Sequence, residues 1–418
     1  MITGIKGMND ILPTEMEAWH FLENQVREVF HSFGFKEIRV PALEKTELFC
    51  RSIGDDTDIV EKEMYTFLDK SGHSLTLRPE GTASVMRSYI EHKLYAQNQV
   101  ERLYYVGPMF RYERPQKGRY RQFHQIGAEI IGENSPLADV QLLNMLCRYF
   151  ERIGITDATL QLNSLGCPDC RPGYRQTLID FISSRLDGLC TDCRRRYQHN
   201  PLRVLDCKVE ECRRACQDAP SVLDHLCADC SGHFATVRRL LTELAIPFEV
   251  NNRMVRGLDY YTRTTFEMVS GRLGAQNAVA AGGRYDGLVA SLGGPAVSGI
   301  GFAIGMERLI LMLDESTLPV SRPDLFLVTL GEKALDRGFS LLSRMQREGL
   351  HAEMDFSGKS LKAQMRRADK LQARVVLILG EDELTRNQIQ IRDMDRGSQD
   401  TIDLDQLFPI LGERLSDI

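Results

Sequence analysis

Cationic side chains cluster densely at one predicted reversal of the chain, between residues 111 and 121. Against a single acid, Glu113, this stretch carries five lysines and arginines: Arg111, Arg114, Lys117, Arg119 and Arg121. Arginine offers a rigid fork of donors that matches phosphate, and a turn by itself requires no such cluster. The cluster therefore indicates a site for a polyphosphate or a nucleic-acid backbone, with a solvated basic hairpin tip as the plain alternative.

The same stretch should fold as two strands joined by a loop. An apolar and aromatic run enters it from Tyr105, Pro115 and Gly118 mark the reversal, and an alternating run leaves it toward Gly132. Side chains of the outgoing strand alternate between two faces. One face collects the polar residues and should form the floor of a site, namely Phe123, Gln125, Gly127 and Glu129.

Three other segments carry residues suited to binding a small ligand. Thr76-Leu-Arg-Pro-Glu-Gly-Thr82 holds Glu80 and Thr82 in a turn at a predicted helix start, where a helix cap is the alternative role. Val255-Arg-Gly-Leu-Asp-Tyr-Tyr-Thr262 places a cation before two tyrosines, and Ala281-Gly-Gly-Arg-Tyr-Asp-Gly-Leu288 supplies glycines that let backbone approach a ligand. Small residues from Ser298 then lead into an apolar helix that carries Arg308.

These segments resemble those of a known enzyme family. Arg111 to Glu129 is similar to motif 2 of class II aminoacyl-tRNA synthetases, and Ser298 to Leu309 is similar to motif 3. The segments that begin at Val255 and Ala281 are typical of histidyl-tRNA synthetases. The similarity extends over essentially the whole chain, and it implies activation of histidine by ATP followed by transfer to the 3′ end of tRNA(His).

The resemblance also implies a role for each candidate residue. The catalytic residues would be Arg111, Arg256 and Arg308. Histidine would be bound by Glu80, Gly81, Thr82, Gln125, Glu129, Tyr260, Tyr261 and Tyr285. ATP, with Mg²⁺ on its outer phosphates, would be bound by Arg111, Arg119, Arg256 and Arg308. The tRNA would be contacted by Arg114, Gln116, Lys117, Arg119, Lys362 and Arg366. Within the histidine site, Glu129 would accept the imidazole N–H.

A cysteine-rich segment lies between the second and third motifs. It contains three C-x-x-C pairs, which suit tetrahedral zinc because two pairs supply four thiolates. The candidate ligands of a structural zinc are Cys167, Cys170, Cys190, Cys193, Cys227 and Cys230. Cys207, Cys212 and Cys216 lie between these pairs. One zinc, two zincs and several unligated thiols are all compatible with this spacing.

The predicted fold is an α+β catalytic domain with an antiparallel sheet, a helical insertion and a C-terminal α/β domain that resembles an anticodon-binding domain. The expected boundaries are residues 1–165 and 247–318 for the catalytic domain, 166–246 for the cysteine-rich insertion, 319–323 for a linker and 324–418 for the last domain. A first helix, with Thr14 and Glu17 spaced as a capping box, and the strand that ends at Pro41 resemble motif 1. This motif implies a homodimer.

Bulk composition excludes several other classes of protein. The chain has 418 residues, of which 43% are hydrophobic and 26% charged, and this is typical of a globular protein with two or three domains. A net charge of -6 argues against an indiscriminate nucleic-acid coat. Neither a signal peptide nor a run of about 18 apolar residues is evident, so we expect a cytoplasmic location and no membrane partner.

Three alternatives compete with the ligase. A non-catalytic histidine-binding paralogue, a regulatory subunit of histidine biosynthesis, would resemble the core but lack the C-terminal domain and break the arginine set. A synthetase for another amino acid is opposed by Arg256-Gly-Leu-Asp-Tyr-Tyr261 and Gly282-Gly-Arg-Tyr-Asp286. A zinc-ribbon RNA-binding protein would account only for the cysteines.

Overall fold

A computed structural model describes residues 1–54, 57–255, 258, 260–274, 277–314, 316, 318 and 322–415. The chain divides into two compact units, Met1–Leu318 and Pro319–Ile418. Among the described residues, none of the helices combines the length and the apolar character that crossing a membrane requires.

The first unit contains strands β1–β11 and helices α1–α11. The strands are β1 Lys36–Glu37, β2 Leu43–Lys45, β3 Tyr65–Leu68, β4 Ser74–Leu77, β5 Glu101–Phe110, β6 Gln122–Ile131, β7 Thr159–Ser164, β8 Phe248–Val250, β9 Thr262–Val269, β10 Ala278–Arg284 and β11 Gly299–Gly305. The helices are α1 Met16–Ser32, α2 Thr46–Ile53, α3 Thr82–Glu91, α4 Pro136–Arg152, α5 Arg171–Ser183, α6 Thr191–Arg196, α7 Leu202–Leu205, α8 Glu210–Ala215, α9 Ala228–Glu243, α10 Leu288–Ser291 and α11 Met306–Ile310.

The second unit contains strands β12–β16 and helices α12–α15. The strands are β12 Leu325–Leu330, β13 Ala352–Met354, β14 Val375–Gly380, β15 Gln388–Asp393 and β16 Gln399–Asp403. The helices are α12 Glu332–Arg347, α13 Leu361–Lys370, α14 Glu381–Thr385 and α15 Leu407–Leu415.

A large, mostly antiparallel sheet organises the first unit. Within the described part of the chain its strand order is β1-β5-β6-β11-β10-β9-β7-β8, and only the edge pairs β1–β5 and β7–β8 are parallel. The central hairpin pairs β5 with β6 over their whole length, from Glu101 opposite Ile131 to Phe110 opposite Gln122. The antiparallel catalytic sheet predicted from the sequence is confirmed.

One face of this sheet packs on the main hydrophobic core. β6 contributes Ile126, Ala128 and Ile130, and α1 and α4 lie over them. α1 buries Leu22, Val26 and Phe30 at helical spacing, because an amphipathic helix turns one stripe toward the core. The opposite, polar face of β6 remains available for a site.

The start of α1 differs from the prediction. The capping box of Thr14 and Glu17 is wrong, because the helix begins at Met16 and its N-cap, Glu15, has no side-chain capping bond. The Glu15 carboxylate instead accepts a hydrogen bond from the backbone N–H of Leu12 at 3.0 Å. The chain is thus fixed in a turn before the helix.

The second unit is the predicted small α/β domain. Its sheet has the order β13-β12-β14-β15-β16 within the described residues, with β13, β12 and β14 parallel. β15 and β16 continue the sheet in antiparallel pairing, and β16 was not anticipated. Two buried clusters cover the two faces of this sheet, one containing Leu327 and Leu377 and the other Phe326 and Val376.

Candidate active site

A cavity of about 220 Å³ opens on the polar face of the large sheet. Nine of the predicted site residues line it: Glu80, Thr82, Arg111, Arg119, Gln125, Tyr260, Tyr261, Tyr285 and Arg308. They come from strand β6, helices α3 and α11, the turn before α3, the loop between β5 and β6, the segment that precedes β9 and the residue that follows β10. The structure thus gathers residues that are up to 228 positions apart in the chain, from Glu80 to Arg308.

The arginines are held in place by neighbouring groups. Arg111 donates from Nε to the carbonyl oxygen of Pro79 at 2.9 Å. Arg119 forms an ion pair with Glu113 at 3.0 Å, across the loop that joins β5 to β6. Burial, and the nearby Arg119, lower the pKa of Arg308. Clustered cations facing one cavity favour an anionic ligand such as a polyphosphate.

Glu80 caps a helix inside the cavity. Its carboxylate accepts the backbone N–H groups of Thr82 at 2.7 Å and of Ala83 at 2.8 Å, at the first turn of α3. Burial raises the pKa of Glu80, against these bonds that lower it. Gly81 allows the ring of Tyr105 to pack against this turn, since a Cβ there would lie 2.3 Å from that ring.

Glu129 lies behind the cavity wall and is fully buried. Its carboxylate accepts hydrogen bonds from the hydroxyls of Thr82, at 2.8 Å, and of Tyr285. Burial raises the pKa of Glu129 to about 8, although both bonds lower it. Gly301 on β11 creates the space, because a Cβ at that position would lie 1.7 Å from Glu129 Oε2.

Gln125 and three tyrosines complete the walls. The Tyr260 ring lies 4.7 Å from that of Tyr261 and 5.9 Å from that of Tyr285, so the three form one aromatic surface. Gln125 is 9% exposed, and its Oε1 has no hydrogen-bond partner within the described residues. A buried acceptor without a partner is costly, so this atom indicates a ligand with an N–H or O–H donor.

Several of the predicted residues that the structure describes do not line the cavity. Arg256 is outside the described residues. Arg114, Gln116 and Lys117 are exposed in the loop between β5 and β6. Lys362 and Arg366 are exposed on α13 of the second unit.

Sequence reasoning missed two charged residues near the cavity. Glu307 lines it and accepts the backbone N–H of His124 at 2.9 Å. Arg284 on β10 is fully buried and donates to Asp139 at 2.8 Å, to Asp286 at 2.9 Å and to the Glu133 carbonyl at 2.8 Å. The signal for Arg284 was a charged residue inside a strand of small residues, a position that requires a buried partner.

The cysteines divide into two groups that could each hold a metal ion. One contains Cys167, Cys170, Cys227 and Cys230, and the other Cys190, Cys193, Cys207 and Cys212. The six cysteines predicted from the sequence all belong to these groups, but Cys207 and Cys212 were not included. In the second group, Cys190 and Cys193 at the start of α6 lie next to Cys207, which follows α7, and Cys212, which is in α8.

An antiparallel sheet with arginines over its polar face, followed by a separate α/β unit, defines a class II aminoacyl-tRNA synthetase. The family model described as histidyl-tRNA synthetase matches residues 7–170 and 184–309, and the one described as anticodon binding domain matches residues 324–414. The chain belongs to the histidyl-tRNA synthetase family. The family predicted from the motifs is confirmed.

Similar proteins cover nearly the whole chain. A histidine–tRNA ligase from Syntrophotalea carbinolica is 65% identical over 99% of both chains, and one from Geobacter sulfurreducens is 63% identical over 96% of both. The crystal structure of the apo histidyl-tRNA synthetase of S. aureus has a TM-score of 0.84 and 37% identity, and the match covers 98% of this chain and 100% of that one.

Proposed function

We propose that the chain is an ATP-dependent histidine–tRNA ligase, which forms histidyl-adenylate and pyrophosphate and then transfers histidine to the 3′ end of tRNA(His). Full-length identities of 65% and 63% to histidine–tRNA ligases confirm the activity predicted from the sequence. The observation that carries the assignment of residues is that three arginines, the Glu80 carboxyl group and three tyrosines line one cavity.

In the first step, a histidine carboxylate oxygen attacks the α-phosphorus of ATP, and the bond from that phosphorus to the bridging oxygen of pyrophosphate breaks. The nucleophile is already an anion at pH 7, so the protein contributes position and positive charge. We assign Arg111 and Arg256 to the carboxylate and the α-phosphate. Arg119 and Arg308 would hold the rest of the nucleotide, since both line the same cavity.

Mg²⁺ would neutralise the outer phosphates when bound. Magnesium prefers oxygen ligands, and the cavity is lined by two carboxylate residues that would hold it with the phosphates: Glu113, which pairs with Arg119, and Glu307, which accepts the His124 N–H.

The pocket end of the cavity fits histidine. Glu80 would take the α-amino group together with Gly81 and Thr82, and Gln125 Oε1 offers an acceptor that has no partner among the described residues. Glu129 would accept the imidazole N–H, with Tyr260, Tyr261 and Tyr285 around the ring. A site built to bond a ring N–H rejects analogues without it by up to about 10⁴ to 10⁵, so editing is unnecessary.

In the second step, a hydroxyl of the terminal ribose attacks the acyl carbon, and AMP leaves. Exposed Arg114, Gln116 and Lys117 in the loop beside the cavity would face the acceptor end of the tRNA. Lys362 and Arg366 would contact its anticodon region, since their unit matches the anticodon-binding family. Charging of tRNA would take place in the cytoplasm.

We also propose that the chain acts as a homodimer. Apolar side chains of the small sheet β2-β4-β3 support this assignment, because Phe67 is 48% and Leu68 is 69% exposed. Large exposed apolar groups commonly mark protein interfaces. Light scattering on the purified chain tests it, and a mass near 47.5 kDa at micromolar concentration would contradict it.

The regulatory-paralogue alternative is disfavoured. By the resemblance, such a paralogue would lack the C-terminal domain, whereas the anticodon-binding family matches residues 324–414 of this chain. Pyrophosphate exchange into ATP, measured with and without histidine, separates the two functions. Exchange that requires histidine supports the ligase, and histidine binding without exchange would support the paralogue.

A further inference from the structure

Eight of the eleven cysteines form two compact groups of four. We name Cys167, Cys170, Cys227 and Cys230 the clasp cluster, and Cys190, Cys193, Cys207 and Cys212 the core cluster. In each group the four sulfur atoms all lie within 4.8 Å of one another. Four thiols brought together twice in one chain require an explanation that packing alone does not supply.

The sulfur–sulfur distances match tetrahedral coordination. Cys167 Sγ lies 3.6 Å from Cys170 Sγ and 3.9 Å from Cys227 Sγ, and Cys190 Sγ lies 3.9 Å from Cys207 Sγ. Four sulfurs around zinc at about 2.3 Å stand about 3.8 Å apart. A disulfide would bring two of them to about 2.05 Å, and all these cysteines are free.

The same backbone arrangement supports both clusters. In the clasp cluster, the backbone N–H of Cys227 donates to Cys170 Sγ at 3.1 Å. In the core cluster, the backbone N–H of Cys190 donates to Cys212 Sγ at 3.1 Å. Groups around a metal site commonly hydrogen-bond its ligands and fix their orientation. Because both clusters have the same backbone N–H to sulfur hydrogen bond, we expect both to bind the same kind of metal ion.

We propose that the chain binds two structural zinc ions, one in each cluster, each held by four cysteine thiolates. Four thiolates fill the tetrahedral shell, so these sites are closed and have no position for a substrate. Zinc suits them because soft sulfur ligands in tetrahedral geometry select zinc or iron, and structural zinc sites use C-x-x-C pairs such as these.

The clasp cluster joins the two ends of the cysteine-rich segment to the catalytic sheet. Cys167 follows β7 by three residues, and Cys227 directly precedes α9. Next to the clasp cluster, the backbone N–H of Arg263 on β9 donates to the carbonyl oxygen of Gly166 at 2.8 Å. The guanidinium of Arg171 donates to the carbonyl oxygen of Tyr261. Tyr261 lines the active-site cavity. The zinc of this cluster would therefore brace the tyrosine wall of the histidine pocket.

The core cluster lies inside a small hydrophobic core of its own. That core has ten buried residues, and four of them are cysteines: Cys193, Cys207, Cys212 and Cys216. A core this small supplies little apolar burial, and small folding units commonly rely on a metal. The zinc of this cluster would hold α6 and α8 together.

Cys216 provides a matched control. It is buried in the same core as three core-cluster cysteines but belongs to neither group of four. Substitution of this residue tests the effect of losing a buried thiol without losing a zinc ligand.

The first test uses the full-length chain purified without chelators. Elemental analysis should give two zinc ions per chain, and zinc-edge X-ray absorption should show a sulfur-only shell at about 2.3 Å. Zinc that stays at or below one equivalent after reconstitution with zinc salts, a shell that contains nitrogen or oxygen, or iron in place of zinc would each overturn the proposal. This test requires no variant to fold.

The second test assigns the sites. Cys167→Ser/Cys227→Ser should lower the zinc content from two to one, and Cys207→Ser/Cys212→Ser should do the same. Cys216→Ser should retain two. Zinc content that stays at two in either double variant, or that falls in Cys216→Ser, would overturn the assignment.

Discussion

The carboxyl group of Glu129 meets two hydroxyl donors in a fully buried position. Burial removes water from this carboxyl group and so favours its protonated, neutral form. Its pKa therefore rises to about 8, although the two hydroxyl bonds lower it. Its side chain is fixed from two sides, by Thr82 of α3 and Tyr285 after β10. A ligand N–H would therefore meet an acceptor whose position is set before binding.

Replacement of Glu129 should affect histidine far more than ATP. We expect Glu129→Ala to lower kcat/KM for histidine about 10- to 100-fold in pyrophosphate exchange, the usual loss when a buried hydrogen-bond donor is left without its acceptor. KM for ATP should change less than about twofold, because removal of a histidine contact leaves nucleotide binding intact. Glu101→Gln is the control, since Glu101 is also buried but bonds to Asn98 away from the cavity. Normal histidine kinetics in Glu129→Ala would end the assignment.

Glu129 should also make stability depend on pH. Its pKa is about 8 in the folded chain and near the ordinary 4.5 when unfolded. Between these values the folded chain keeps a proton that the unfolded chain has released, so stability falls by about 1.4 kcal/mol per pH unit as pH rises. Glu129→Gln removes this titration. The Tm of Glu129→Gln minus that of the unsubstituted chain should increase from pH 5 to pH 8, and a constant difference would contradict the prediction.

At the scale of elements, the hairpin of β5 and β6 could be predicted from the sequence because apolar and polar residues alternate along β6, as they do in a strand with one buried face. Side chains two apart share a face, so Ile126 and Ile130 had to face the core if Gln125 faced the cavity. β11 pairs with β6, and β10 and β9 follow it in the sheet, and this long-range pairing left no local signal. The polar floor on β6 was therefore predicted from the alternation, whereas the residues of distant segments were assigned to the same site only by resemblance.

Arg284 shows where sequence reasoning stops. The segment from Gly282 to Asp286 was interpreted as backbone that approaches a ligand, whereas its arginine turns away into a buried network. Within that network His233 Nε2 lies 2.7 Å from Asp139, which Arg284 also contacts. Burial of an arginine depends on partners from other elements, here α4 and α9, so the sequence around it cannot reveal the pairing.

Removal of one member of this network should destabilise the first unit. We expect Asp139→Ala to lower the free energy of unfolding by about 3–5 kcal/mol, because it removes the buried carboxylate that both Arg284 and His233 contact and leaves Asp286 as the one carboxylate paired with Arg284 among the described residues. Asp157→Ala breaks the half-exposed pair with Arg272 and should cost less than about 1 kcal/mol. Urea denaturation of both variants compares them, and equal losses would refute the network's role.

At the scale of the whole molecule, the chain has two units with separate hydrophobic cores, and different features lie in each. The first unit contains the cavity, and the second matches the anticodon-binding family. The division into two units was anticipated from the linker composition, whereas the catalytic, insertion and anticodon-binding boundaries stay predictions. Helix α9 falls within the predicted insertion, residues 166–246, but its Phe234, Val237 and Leu241 pack in the main core of the first unit.

Charge reversal on α13 should weaken the binding of tRNA without affecting the activation of histidine. We expect Lys362→Glu/Arg366→Glu to raise KM for tRNA(His) by roughly tenfold, with a smaller salt dependence, because phosphate contacts are lost. Pyrophosphate exchange should be unchanged. Lys333→Glu/Arg337→Glu on α12 is the control, since these cations are also exposed in the same unit. Equal effects of the two pairs would show that only net charge matters.

The clasp cluster has a consequence for how this chain tolerates insertions and deletions. Its two halves keep residues 167–170 next to residues 227–230, so the 56 residues from 171 to 226 form a loop whose ends are already closed. Lengthening a closed loop adds little entropic cost, since that cost grows only with the logarithm of loop length. Segments exchanged between residues 171 and 226 should thus leave the pairing of β7 with β8 intact. We therefore expect a foreign segment to be tolerated between residues 171 and 226.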